Sequence, residues 1–225
     1  MKKKEFIDKA IEIATKYKSL YVMGCFGAPM TPSNKIRYSN NYAYNKARKS
    51  MIEHATSDTY GWDCVCLIKG ILWNWNGDMA DPYGGAKYCS NGVPDFGTES
   101  LMSYCTGVSS SMNNIEAGEV LYMYGHCGIY IGDGKVVEAT PKWKNGAQIT
   151  NLSQRKWEKH GKLKWIDYTE EKPMRYNKIE DLPEWAKEPI QWYMDNGYMT
   201  VMDLSYDMVR ILTICYRAYK EGNNV

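Results

Sequence analysis

Residues 63–72 run Asp63-Cys64-Val65-Cys66-Leu67-Ile68-Lys69-Gly70-Ile71-Leu72, apolar nearly all round, and Trp73 follows. A helix of that pattern belongs in the interior of a domain, because no face of it suits water. Gly70 is the one weak point in the run. From Glu119 the pattern becomes short strands over residues 120–124, 127–131, 135–140 and 163–168, separated by turn residues. Before both, residues 3–18 place Phe6, Ala10, Ile13, Ala14 and Tyr17 at helical spacing with charges on the other face. Helices first and sheet later predict an α+β domain in which N-terminal helices pack on an antiparallel sheet.

This frame brings three reactive groups together. Cys64 falls near a helix N-terminus, where unpaired backbone N–H groups and the helix dipole favour a thiolate. His126 opens one strand and Glu138 closes the next, around Gly132-Asp133-Gly134, so a hairpin sets imidazole and carboxylate side by side. One ring nitrogen then meets Glu138 while the other faces the thiol, the base-and-orienter arrangement of nucleophilic catalysis. Cys66 lies about 200° further round the helix and is expected to be buried and inert. Cys127 alternates to the opposite strand face from His126 and is expected in the core. His54 and His160 sit among polar residues and are expected at the surface. A zinc site from Cys64, Cys66, His126 and Cys127 is disfavoured, since Cys-x-Cys inside a helix lacks the usual ligand spacing.

Bulk properties exclude several classes. Net charge is +2, from 28 basic and 26 acidic residues, so nothing marks a nucleic-acid partner. Glu5, Asp8 and Glu12 interrupt any apolar region after Lys2-Lys3-Lys4, and no long apolar run follows, so neither an export signal nor a membrane span is expected. Seven cysteines cannot all pair internally, and reduced thiols made in a cytoplasm are expected. The chain holds 19 Tyr and 8 Trp against 3 Phe. Such amphipathic rings suit sugar or peptide surfaces as well as a polar-tipped core.

Residues 24–61 read as a long surface insertion with one short helix over 42–54, and residues 76–98 as a loop lining a groove. The catalytic domain is placed at residues 1–168 and a linker at 169–178, where Glu170-Glu171-Lys172-Pro173 breaks the pattern. Residues 179–225 form a small helical module. One helix runs from about Pro183 to Asn196-Gly197, kinked at Pro189 or starting just before it. A second follows Ser205 as N-cap, with Met208, Ile211, Leu212, Cys215 and Tyr219 at helical spacing.

Over residues 4–168 these elements resemble the NlpC-type family of papain-like peptidoglycan peptidases and the related CHAP amidases, most of all the versions in phage and prophage lysins. Tyr21-Val22-Met23-Gly24-Cys25 is similar to the family's Tyr-Val-Trp-Gly-Gly element, Asp63-Cys64-Val65-Cys66 to its Asp-Cys-Ser-Gly element, and Gly125-His126-Cys127-Gly128-Ile129-Tyr130 to its Gly-His-Val-Gly-Ile-Tyr element. Glu138 stands where CHAP proteins carry Glu and the NlpC type commonly has His. Val65 replaces a serine, Cys25 a glycine, and about 40 residues separate Tyr21 from Cys64, more than the family usually has. The resemblance implies a papain-like core with Cys64 as nucleophile, His126 as base and Glu138 as its orienter. Tyr21, Asp63 and Trp62 would contact substrate or oxyanion, and neither cofactor nor metal is called for. It further implies an endolysin that hydrolyses a stem-peptide amide of bacterial peptidoglycan, either as an endopeptidase or as an N-acetylmuramoyl-L-alanine amidase, released from the cytoplasm by a holin-type or other non-classical route. The tail resembles half of an S-layer-homology-type repeat, implying wall attachment or a homo-oligomer. The rival readings are an inactive wall-binding protein and an acyltransferase or toxin on the same core.

Overall fold

A computed structural model describes residues 1–169 and 175–222. The chain divides after Thr169 into two compact units. Residues 170–174 of the expected linker lie outside the described residues.

The first unit opens with helix α1 (Lys3–Lys16), which buries Phe6, Ala10 and Ile13 along one stripe, and leads into strand β1 (Lys18–Tyr21). Strand β2 (Phe26–Pro29), helices α2 (Pro32–Ser39), α3 (Ala43–Ala47) and α4 (Lys49–His54), and strand β3 (Thr59–Trp62) follow. β3 lies between the other two strands, parallel to β1 and antiparallel to β2. The surface insertion expected over residues 24–61 is therefore corrected. Every residue of β2 and β3 is buried, and Leu20, Val22, Cys25, Ala28, Met30, Tyr38 and Ile52 make a small core of their own. These strands escape a periodicity search because they are buried on both faces and carry glycine where neighbours crowd in. A Cβ on Gly61 would lie 2.7 Å from Cys25 Sγ.

Helix α5 (Cys64–Leu72) is buried at all nine positions. Burying each of its Leu and Ile side chains contributes about 1.5–3 kcal/mol. Gly70, weak by propensity, is required by packing: a Cβ there would sit 2.7 Å from the Trp62 ring and 3.0 Å from the Phe26 carbonyl oxygen. Strands β4 (Cys105–Ser109), β5 (Val120–Met123), β6 (His126–Gly132), β7 (Lys135–Thr140), β8 (Gly146–Asn151) and β9 (Lys159–Leu163) complete an antiparallel sheet of order β4-β9-β5-β6-β7-β8. The strand expected over 163–168 thus ends where it was to begin, and β4 and β8 add two strands that the sequence did not announce. Cys127, Ile129, Val137, Ala139 and Ala147 face the main core with α1 and α5. On the other face Leu121, Val136 and Trp157 pack together. The mixed α+β architecture, with N-terminal helices on an antiparallel sheet, follows from these contacts.

In the second unit, β10 (Arg175–Tyr176) pairs antiparallel with β11 (Leu204–Ser205). Helices α6 (Glu184–Asp195) and α7 (Tyr206–Gly222) share a core of Tyr176, Leu182, Ala186, Ile190, Leu204 and Val209. α6 starts ahead of Pro189 and holds it inside, and Gly197 beyond its C-cap has φ +73°. Ser205 Oγ accepts from Met208 N–H at 3.2 Å, as an N-cap should. No helix among the described residues is long and apolar enough to cross a membrane.

Candidate active site

Three local features position Cys64. Strand β3 runs directly into α5, so Cys64 is the first helical residue. Asp63 is the N-cap: its carboxylate accepts from Cys66 N–H at 2.7 Å and from Gly24 N–H at 2.6 Å, tying the helix start to the β1–β2 turn. Gly24 has φ +74°, the left-handed conformation that this turn needs. Burial foremost, then the Cys64 charge, pushes the Asp63 carboxyl up to about 6, against the pull of its two N–H donors.

Cys64 Sγ lies 3.6 Å from the Thr98 hydroxyl, and the Cys127 and His126 side chains are near enough to act on its ionisation. These partners, led by Cys127 and His126, hold its pKa well below the ordinary thiol value although the group is buried. His126, the first residue of β6, places Nε2 at 2.5 Å from Glu138 Oε2. That leaves Nδ1 for Cys64. Burial pulls the imidazole pKa down, but the Cys64 and Glu138 side chains outweigh it and the net shift is upward. A thiol shifted down beside an imidazole shifted up favours the charged form of both groups. The ring also stacks on Trp157, with centroids 5.7 Å apart and planes 20° from parallel.

Glu138 sits within β7, not at its end, and is fully buried. Its Oε1 accepts from Thr150 Oγ1 at 2.6 Å, and its Oε2 from Arg155 Nε at 2.7 Å as well as from His126. Arg155 also donates to Thr140 Oγ1 at 2.9 Å. Burial works to raise the Glu138 carboxyl, yet His126, Arg155 and Thr150 together bring it below the usual value. Its lowered pKa favours the carboxylate, the form that accepts from all three donors.

Tyr21 ends β1 opposite Trp62 of β3, one strand over from the nucleophile. Burial, then the nearby charges of Cys64 and Asp63, drives its phenol pKa far up, so the hydroxyl stays protonated and can donate. Arg48 pins it, donating to the Tyr21 carbonyl at 2.7 Å while its guanidinium lies 5.7 Å from the ring centroid. At the start of α5 opens a cavity of about 340 Å³ whose lining includes Met23, Tyr42, Asp63, Val65, Tyr88 and Phe96, with Cys64, His126 and Glu138 outside that lining. Asp63 thus has one edge on this cavity as well as its capping role.

Trp62 does not fit a substrate-contact role. It is fully buried, packed against Trp75 at 5.0 Å between centroids and against Gly70, so it belongs to the core. His160 is corrected from surface to interior: its ring hydrogen-bonds Glu119 through Nδ1 and the Ser111 carbonyl through Nε2. His54 is on the surface of α4, exposed as expected. Cys127 is buried as expected, but it faces Cys64. Thr98, Thr150, Arg155 and Trp157 are site residues that sequence reasoning missed. Polar residues at two-residue spacing, Gln148 and Thr150, were the only available signal for the strand that carries Thr150, and nothing local singles out Arg155. Among the described residues no group of three or more His, Cys, Asp or Glu is gathered as ion ligands. No protein-family model matches this chain, and no curated protein matches it.

Proposed function

We propose that the protein is a cysteine hydrolase of peptidoglycan, of the papain-like NlpC/CHAP kind, acting as an endolysin on a stem-peptide amide. The observation that carries this reading is the His126–Glu138 hydrogen bond, Nε2 to Oε2 at 2.5 Å, on an imidazole that also lowers the pKa of the Cys64 thiol. In the reaction the Cys64 thiolate attacks the amide carbonyl, and imidazolium His126 gives its proton to the departing amine. Water, deprotonated by His126, then releases the acyl group. The Cys64 backbone N–H, first in α5 and without an intrahelical acceptor, and the Tyr21 hydroxyl stabilise the oxyanion. Each such donor contributes about 2.7–4 kcal/mol to the transition state. Glu138 fixes the ring, and Arg155 and Thr150 fix Glu138.

An ionised thiol with a complete base and orienter supports catalysis over the inactive wall-binding reading. The test is digestion of purified peptidoglycan from several walls with wild-type protein and with Cys64→Ala, read by mass spectrometry. New stem fragments that depend on Cys64 are expected, and their ends separate the endopeptidase from the amidase. Undigested walls, with folded protein and reduced thiol, would move the reading to acyl transfer onto another acceptor.

A further inference from the structure

Cys127 has no place in the hydrolytic cycle, yet it shares the buried layer between β6 and α5 with Cys64. It lies on the face of β6 that packs against α5, fully buried in the same core cluster as Cys64, near enough for each thiol to shift the ionisation of the other. The two residues belong to different elements and meet only because the sheet and the helix pack together. Cys66 is two residues along the same helix, and its backbone N–H donates to Asp63 Oδ1 at 2.7 Å. Cys64 keeps 6% of its surface open, and Cys127 none. One member of the pair is thus a thiolate open to small reagents, and the other a thiol held beside it out of solvent.

We propose that Cys64 and Cys127 form a reversible disulfide when the protein meets a hydroperoxide, making the active site an oxidative modification site with Cys127 as its resolving cysteine. In the first step the Cys64 thiolate attacks one peroxide oxygen. An S–O bond forms, the O–O bond breaks, and the leaving hydroxide takes a proton to become water; sulfur is oxidised and peroxide reduced. In the second step Cys127 sulfur attacks Cys64 sulfur. The S–S bond forms, the S–O bond breaks, and hydroxide leaves with the Cys127 proton as a second water. The disulfide silences the nucleophile and spares it from irreversible sulfinic and sulfonic acids.

The test treats the folded, full-length protein with hydrogen peroxide, then maps its peptides without reduction. Wild-type protein is expected to yield a Cys64–Cys127 linked peptide pair lacking the two thiol hydrogens. Iodoacetamide labelling of Cys64 is expected to be lost with peroxide and restored by dithiothreitol. In Cys127→Val, and equally in Cys127→Ala, Cys64 is expected to gain two or three oxygens and to stay unlabelled after dithiothreitol. Wild-type Cys64 that carries those oxygens while Cys127 remains a free thiol, or that links to Cys66 instead, would overturn the proposal. These readouts follow the sulfur alone, so a failure to digest peptidoglycan would leave them standing, and the reverse.

Discussion

Glu138 meets three donors inside a sheet where no water competes, and that concentration of partners makes Arg155 the most consequential residue outside the nucleophile pair. Removing one member of a buried ion pair strands the other and costs about 3–5 kcal/mol. Arg155→Met should lose less than that, about 1.5–3 kcal/mol, in denaturant unfolding at neutral pH, because His126 and Thr150 still hold Glu138. The sign of its pH dependence is fixed. Glu138 has a lowered folded-state pKa, so its stabilisation is present above the ordinary carboxylate range and is lost as pH falls through that lowered value. Without Arg155 the carboxyl rises, and acid unfolding should begin at a higher pH than in wild type. Glu138→Gln should keep the fold but release the imidazole, lowering turnover by about 10²–10⁴-fold, with little change in KM. A Glu138→Gln variant as active as wild type would show that the imidazole is oriented by something else. Cys64, His126 and Glu138 were legible because their residue types and order carry the chemistry. Arg155 and Trp157 were not, since nothing in Ser153-Gln154-Arg155-Lys156-Trp157 marks which side chain turns towards β7, and Thr98 fell in the 76–98 stretch read only as a loop.

At the scale of elements, helix α5 does two jobs with one start. Asp63 caps it and ties it to Gly24, so Asp63→Ala should destabilise the protein by about 0.5–2 kcal/mol through the lost cap. It should also loosen the position of Cys64, seen as slower alkylation by iodoacetamide. Further along, Gly70 packs under the Trp62 ring and the β2 backbone. Gly70→Ala, which helix propensity alone would favour, should instead cost about 1–3 kcal/mol by overpacking. A gain in melting temperature would contradict that packing. Of the elements that were legible, α1 has a clear helical period, α5 is an apolar run nearly all round, and β6 and β7 are set off by their turn residues. β2 and β3 were hidden because their burial on both faces removes alternation, and the residues that make close packing possible there, Gly27 and Gly61, are also turn-formers. β8 was hidden by Gly146-Ala147-Gln148, short and polar in composition although buried in the sheet.

At the scale of the whole molecule, the first unit holds the entire candidate site and its own cores, and the second a small core of about half a dozen side chains. A chain ending at Thr169 should therefore unfold cooperatively and retain the low Cys64 pKa. An isolated 170–225 segment should be marginal, since so small a core contributes little against chain entropy. The boundary near residue 169 was legible from composition, whereas the β10–β11 pairing, two residues on each side, was too short to signal itself.

The account rests on Cys64 being a thiolate held by His126 before any substrate arrives. The direct measurement is the ultraviolet thiolate absorbance of wild type minus Cys64→Ala, followed from acid to alkaline pH. A Cys64 step well below the ordinary thiol value of about 8.5 is expected, with the His126 proton lost only above the usual imidazole range and the ion pair present between the two. A Cys64 step at or above the ordinary thiol value would contradict the thiolate–imidazolium pair and, with it, the hydrolytic mechanism.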